Sequence, residues 1–542
     1  MKKHYTLAKT ILAGAFAALL SAAGAQHTNY LNVNNVRAGI GSGGNLFSQI
    51  GNPNPVWQLF EAPAGSGIVP IYTASIWMSG YDTGNNLHVA AQRYATNGHD
   101  FYNGPIVTNY TADYDTFFNQ VFKVTRLQIS HHQSLGSPLT TAQIDTAILM
   151  WPGKGNPFIS IATGINIGSR LAPFIDVDND QVYDPRKGDY PDVCGDEAIF
   201  FVFNDDRDIH QETGGQKLGV EVRGLAQAYY YGNSPVSNTI FVSYEVENKS
   251  QSRYNDFYMS MFEDADLGCF ANDRVGCDVP LALMYTYNGQ VFDFDCNGVK
   301  GYGNKSAATG VKLLRGGFSS FGYFLNGNAP GLEDPSNAAG FRNYQTARWN
   351  DGTPFGDGQN GYGGNPSKYI FPGRPATPND FTDEASGLQA GDRRILGTSD
   401  SSDFLSGEIK KFDYAFFTTL DSTATYLTIV DSLKRDAVQI QAFYNSNFLG
   451  CLANPFTPTA INTVNSDLQL LVYPNPASSS LMLEAEKAID RVELTDMLGR
   501  MVLAKTANGT RVLLNVATLP AGTYLMKVKI GDGLIVKKVA IN

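Results

Sequence analysis

The run Asp176-Val177-Asp178-Asn179-Asp180-Gln181-Val182-Tyr183-Asp184 carries the pattern best suited to chemistry. Carboxylates at its first, third, fifth and ninth positions, with the Val182 carbonyl at the seventh, reproduce the oxygen spacing of a calcium loop. Calcium takes about six to eight hard oxygen ligands, and alternate aspartates on a tight turn converge on one ion. Asp189, just downstream, offers a further oxygen.

Two positions depart from the helix–loop–helix sensor pattern. Gln181 stands where that loop has glycine, and Lys187 where it has a bidentate glutamate. The pattern is closer to the acidic, non-helical loops of extracellular calcium-stabilised repeats. Calcium here is expected to be structural, and the alternative is a solvated acidic turn.

A second acidic cluster follows a strand-like run: Glu263, Asp264, Asp266, Asp273 and Asp278. Crowded carboxylates repel unless an ion, an arginine or protonation compensates. Metal binding through Asp264, Asp266, Asp273 and Asp278 is one reading, a loop paired with Arg274 another, and catalytic carboxylates a third. Glycoside hydrolysis needs only two carboxylates about 5–9.5 Å apart, and so many acids always offer candidate pairs. His131-His132 follows a strand-like stretch, where neighbouring side chains point to opposite faces, and no further histidine nearby completes a zinc site. Gly-x-Ser-x-Gly, His-Glu-x-x-His and a phosphate-cradling glycine loop are all absent from the sequence.

The five cysteines, Cys194, Cys269, Cys277, Cys296 and Cys451, include no C-x-x-C pair. Cys269 and Cys277 are spaced to close a short loop in an oxidising compartment, a reduced buried pair being the alternative.

The elements that would position these groups are mainly β. Of 542 residues 17% are charged, and 55 Gly, 28 Tyr and 32 Phe suit short strands joined by tight turns. Strands are expected at 68–77, 122–131, 197–204, 219–231, 238–248, 254–263, 281–287, 317–326 and 408–419, with a hairpin turn at Gly232-Asn233-Ser234-Pro235. Helices are few. Ser137 and Pro138 predict a helix start ahead of 142–151, and Leu427, Val430, Leu433, Val438, Ile440 and Phe443 predict one amphipathic helix over 425–447. The Gly-, Asn- and aromatic-rich stretch 301–390 reads as ordered loops, whose aromatics either anchor the loops or stack on sugars. The net charge of −11 disfavours nucleic acid as a partner.

The ends carry an address. Lys2, Lys3 and Lys9 precede an apolar run from Ile11 to Leu20, and Ala23-Gly24-Ala25 supplies a small-x-small cleavage pattern. Residues 1–25 therefore read as a signal peptide, cut before Gln26. No later run of 18 apolar residues predicts a transmembrane helix in the mature chain. The body is expected over 26–454 as one or two β-rich units, followed by a polar linker at 455–466. Residues 467–542 show alternating runs punctuated by glycines and read as an Ig-like β-sandwich of about seven strands.

This end resembles the C-terminal sorting domain of type IX (Por) secretion cargo. The matching words are Tyr473-Pro474-Asn475-Pro476, the run 492–500 ending in Gly499-Arg500, the run 519–524 containing Gly522 and Tyr524, and the closing strand with Lys537-Lys538. The resemblance implies passage through the outer-membrane translocon, display at the surface or release, and in this family removal of the domain with attachment to lipopolysaccharide. The body is similar to a recurrent class of large type IX cargo through Asn35-Val36-Arg37, Gly188-Asp189-Tyr190-Pro191, Phe203-Asn204-Asp205, Val275-Gly276-Cys277-Asp278 and Gly391-Asp392-Arg393-Arg394. That likeness implies location and no activity. The expected function is non-enzymatic adhesion, matrix formation or binding of a glycan or protein ligand. The alternative is a secreted polysaccharide hydrolase working with paired carboxylates.

Overall fold

The computed structural model of the chain describes residues 28–48, 58–95, 98–168, 170–326, 330–448, 470–496, 501–530 and 533–542. The expected leader at 1–25, the linker at 455–466, Cys451, Gly499 and Arg500 lie outside them. The chain divides into two compact units, Met1–Ala453 and Asn454–Asn542.

Strand Glu197–Asn204 is almost wholly apolar because both its faces are buried. Ile199, Phe201 and Phe203 enter one core while Ala198, Phe200 and Val202 enter another. It belongs to a nine-stranded antiparallel sheet in which Ile409–Asp421, Thr239–Asn248, Val220–Ala228 and Glu197–Asn204 lie side by side. A ten-stranded sheet centred on Thr73–Tyr81, Tyr254–Ala265 and Arg393–Ser399 shares its inner core, and Phe47 meets Phe416 edge-on at 5.0 Å between them. The hairpin expected between 219–231 and 238–248 is present, with Val220 opposite Asn248 and Ala228 opposite Ile240.

Each sheet's outer face is covered by other elements. On the ten-stranded sheet Trp77 stacks on Phe262 at 5.3 Å and meets Phe341 of helix Ala338–Gln345 at 4.7 Å. Tyr344, Trp349, Phe355 and Phe371 of the 301–390 stretch are buried there, so these aromatics anchor loops; Tyr362 stays exposed. On the nine-stranded sheet one end carries helices Ala112–Phe118, Arg126–Leu135 and Pro157–Thr163. The other end carries helix Ile429–Phe443, which buries Ile429, Val430, Leu433, Ala437, Ile440 and Phe443. This is the helix expected at 425–447, except that Val438 faces solvent.

Three local expectations are corrected. Residues 126–135 are helical, not the end of a strand, because Thr125 and Gln128 form a reciprocal capping box that stops strand Phe122–Thr125. The helix expected at 142–151 is a short turn, Thr141–Gln143, and one helical turn, Thr146–Leu149, capped by Asp145. Cys269 bonds Cys296 and not Cys277, whose strand Asp273–Asp278 turns its thiol into the inter-sheet core. Burial pushes the Cys277 thiol up, well out of reach of ionisation.

In the C-terminal unit, Leu470–Tyr473, Ser480–Asp496, Met501–Asn515, Gly522–Ile530 and Gly533–Ile541 form a five-stranded antiparallel sheet. Ser480–Asp496 is a single strand with register shifts around Ile489, so five strands stand in place of about seven. Alternation along Gly522–Ile530 buries Tyr524, Met526, Val528 and Ile530.

Candidate functional site

The acidic loop is built on a small clamp. Phe174–Ile175 pairs with Tyr190–Pro191, closing residues 176–189 into a hairpin loop. Tyr183, fully buried, anchors it by donating its hydroxyl to the Ile148 carbonyl at 2.6 Å. Within the loop Asp176, Asp178 and Asp189 each bring a carboxylate oxygen within 4.8 Å of the others. Asp189 is fully buried and accepts the N–H groups of Val177 and Asp184 at 2.8 Å each. Burial, together with the nearby Asp176 and Asp178 charges, pushes its pKa up to about 6 against the pull of those N–H groups.

The remaining predicted ligands are engaged differently. Asp180 pairs with Lys187, which also lies 2.9 Å from Asp178, and this ammonium with the Val182 N–H holds Asp180 below the usual carboxylate range. Asp184 caps the turn Pro185–Lys187 and pairs with Arg186 at 2.7 Å. Val182 gives its N–H to Asp180 at 2.8 Å. Gln181 adopts φ +63°, the left-handed conformation that glycine supplies at this position of a calcium loop. The loop thus offers three convergent carboxylates, with Lys187 as an internal counter-charge.

The second cluster is composed differently from the sequence expectation. Asp264 and Asp266 come together with Asp392, not with Asp278, which pairs with Lys434 at 2.9 Å. Asp273 is fully buried and accepts the Leu267 N–H at 3.0 Å. The compensating arginine is Arg394 and not Arg274. Arg394 stands directly across the ladder from Asp264 and lies 3.4 Å from it and 3.1 Å from Asp392. Arg274 pairs instead with Asp383 and Glu384. Tyr94 donates to Asp264 at 2.7 Å and accepts from Arg394 at 2.8 Å. Burial and Asp392 lift Asp266 to about 7. His132 is a buried helical residue whose pKa burial pulls down.

Sequence reasoning missed Asp392 and Arg394 as partners of Asp264. It also missed a cavity of about 410 Å³ on the outer face of the nine-stranded sheet, lined by Arg170, Asp192, Ser243 and Glu245 among others. The signal in strand Thr239–Asn248 was its alternation of Ser243, Glu245 and Glu247 with buried neighbours.

In the C-terminal unit the motif residues join the first turn to the last strand. Asn475 accepts the Ala540 N–H at 2.8 Å and donates to the Lys538 carbonyl at 3.2 Å. Tyr473 donates to Glu484 at 2.9 Å, Lys537 reaches the Leu470 carbonyl at 2.7 Å, and Tyr524, two residues into the strand that Gly522 opens, donates to the Pro520 carbonyl at 2.6 Å. Residues 471–542 match the secretion system C-terminal sorting domain. The sorting domain supports export by type IX secretion to the cell surface or extracellular space, and contact with that machinery. No helix among the described residues is long and apolar enough to cross a membrane.

No curated protein matches the chain. Among solved structures it is similar to a polysaccharide lyase, with 7% identity over 59% of this chain and 34% of that one, at a TM-score of 0.17. It is also similar to PorZ, described as an essential bacterial surface component of the type-IX secretion system of Porphyromonas gingivalis, with 8% identity over 69% of this chain and 45% of that one, at a TM-score of 0.13. The chain spans about a third of the first and under half of the second, and at such scores neither likeness bears on its activity.

Proposed function

We propose that the body is a non-catalytic, extracellular β-rich binding protein stabilised by calcium in the loop 176–189. The convergence of Asp176, Asp178 and the buried Asp189 carries this reading. Three carboxylates so close repel one another, and a hard divalent cation relieves that repulsion. Lys187 balances part of the charge when no ion is bound and swings out when one is. Calcium at a hundred times its dissociation constant adds about 2.7 kcal/mol to stability. EDTA is therefore expected to lower the melting temperature of the purified chain, and Asp176→Asn to abolish the difference. An identical transition with calcium and with EDTA would eliminate the idea.

Passage from the periplasm to the surface is expected to depend on the terminal domain. Deleting residues 467–542 should leave the protein in the periplasm, read by fractionation and surface proteolysis, while the body still folds. Undiminished surface display would contradict this. Lipopolysaccharide attachment would then appear as a slow-migrating, membrane-associated form of the wild type that the deletion lacks.

The hydrolase alternative requires a free acid and a free base facing one substrate. Asp192 supplies a candidate acid, lifted by burial to about 6. Its cavity companions are both committed, Glu245 to Lys411 at 2.7 Å and Asp413 to Arg315 at 2.9 Å. Release of reducing ends from a polysaccharide panel would reverse this preference.

A further inference from the structure

The cavity on the nine-stranded sheet lies between the two helical covers. Its floor is set by strand register: Leu225, Ser243 and Asp413 form one cross-strand row, and Arg223, Glu245 and Lys411 the next. Phe200, opposite Leu225, extends the first row into an apolar end, and Leu171 and Pro173 flank it. Side chains mounted on central strands are held in fixed positions, which suits a binding site more than a mobile loop does. A volume of about 410 Å³ falls in the size range of small-molecule sites.

Most of the charge in this cavity is internally satisfied. Glu245 lies 2.7 Å from Lys411 and 3.4 Å from Arg223, while Arg223 also reaches Glu221 and Glu247 at 3.0 and 2.7 Å. Asp413 is paired with Arg315. Two groups remain. Asp192 has a buried carboxylate oxygen without a hydrogen-bond partner, and it feels the charge of Arg170 without forming an ion pair with it. Arg170, at the rim, has no ion pair among the described residues. On the floor, the buried Ser243 hydroxyl also lacks a partner. An acid and a base too far apart to meet, with an unsatisfied hydroxyl and an apolar end beside them, are complementary to a molecule carrying both charges.

We propose that this cavity binds a small zwitterion, an apolar amino acid or short peptide, with its carboxylate on Arg170, its ammonium on Asp192 and its side chain over Phe200 and Leu225. A buried carboxylate left unpartnered is unfavourable, and an incoming ammonium with its own counter-charge removes that penalty without adding net charge. A simple anion would satisfy Arg170 and leave Asp192 bare; a simple cation would do the reverse. The proposal deepens the binding reading above and is independent of the calcium loop.

Calorimetric titration of the full chain near pH 7.5 tests it with leucine, leucyl-leucine, N-acetylleucine, leucinamide and glucuronate. Saturable binding of leucine or leucyl-leucine is expected, with each capped form at least about tenfold weaker, as for the loss of one charge-assisted contact. Asp192→Asn should weaken leucine about tenfold and leave N-acetylleucine unchanged. Arg170→Gln, at an exposed position that tolerates substitution, should weaken leucine and leave leucinamide unchanged. Absence of leucine and leucyl-leucine binding at millimolar concentration, equal binding of the capped forms, or tighter binding of glucuronate would overturn the assignment. Cleavage of leucyl-leucine during the titration would instead leave the site standing and overturn the non-catalytic reading.

Discussion

Glu263→Gln is expected to stabilise the body by about 4 kcal/mol at pH 7 and to flatten its dependence on pH. Glu263 lies in strand Tyr254–Ala265 between Ala74 and Ile395, all three fully buried on the inner face of the ten-stranded sheet. Neither of its carboxylate oxygens has a hydrogen-bond partner. Burial first, and the Asp264 charge second, raise its pKa to about 8. An unfolded chain ionises this residue near its ordinary value of about 4.3, so between there and about 8 the unfolded state holds fewer protons than the native one. Stability is then fullest below about pH 4.3, falls by about 1.4 kcal/mol for each pH unit above it, and levels off above about 8. Glutamine keeps the shape and cannot ionise. Urea unfolding of wild type and variant at pH 5, 7 and 8.5 reads the gap directly. A gap that does not widen with pH would show that Glu263 meets water in the folded protein.

The second large effect is expected at Cys269 and Cys296. Their disulfide closes a loop of 27 residues' separation that contains the edge strand Asp273–Asp278 and the whole of its neighbour Leu283–Asn288. Restricting an unfolded loop of that length stabilises the native state by about 3–4 kcal/mol. The double variant Cys269→Ser, Cys296→Ser should lose that amount in denaturant titration, whereas Cys277→Ala should lose only what a small buried side chain contributes. A double variant as stable as wild type would mean that the loop is already restrained in the unfolded chain. Cys194 is likewise disulfide-bonded, in keeping with folding in an oxidising compartment.

Much of the fold was legible where the signal is local. The continuous apolar run at 197–204 read as a strand because both faces must be buried, and the observed strand has those bounds. The 3–4 residue spacing of Val430, Leu433, Ile440 and Phe443 read as a helix, and those residues are its buried face. Where local signals competed, composition misled. Residues 126–131 look like a strand, yet the Thr125–Gln128 capping box, visible in the sequence, decides for helix.

The candidate sites divide in the same way. Asp176, Asp178 and Asp189 were found because their ladder neck closes within sixteen residues, so sequence proximity and spatial proximity coincide. Arg394 was missed as the partner of Asp264 because they meet only through the register of strands 130 residues apart. Asp192, Arg170 and Ser243 share a cavity only once two helical covers leave a gap on one sheet.

The sequence by itself determined the β-rich class, the export address carried by Tyr473 to Pro476 and Lys537-Lys538, and the acidic loop, since each is a short run whose spacing follows from backbone geometry. Tertiary structure alone decided which cysteine Cys269 bonds, which arginine neutralises Asp264, and where unpaired charge is left. Those outcomes depend on long-range strand pairing, in which a one-residue change of register turns every side chain to the other face.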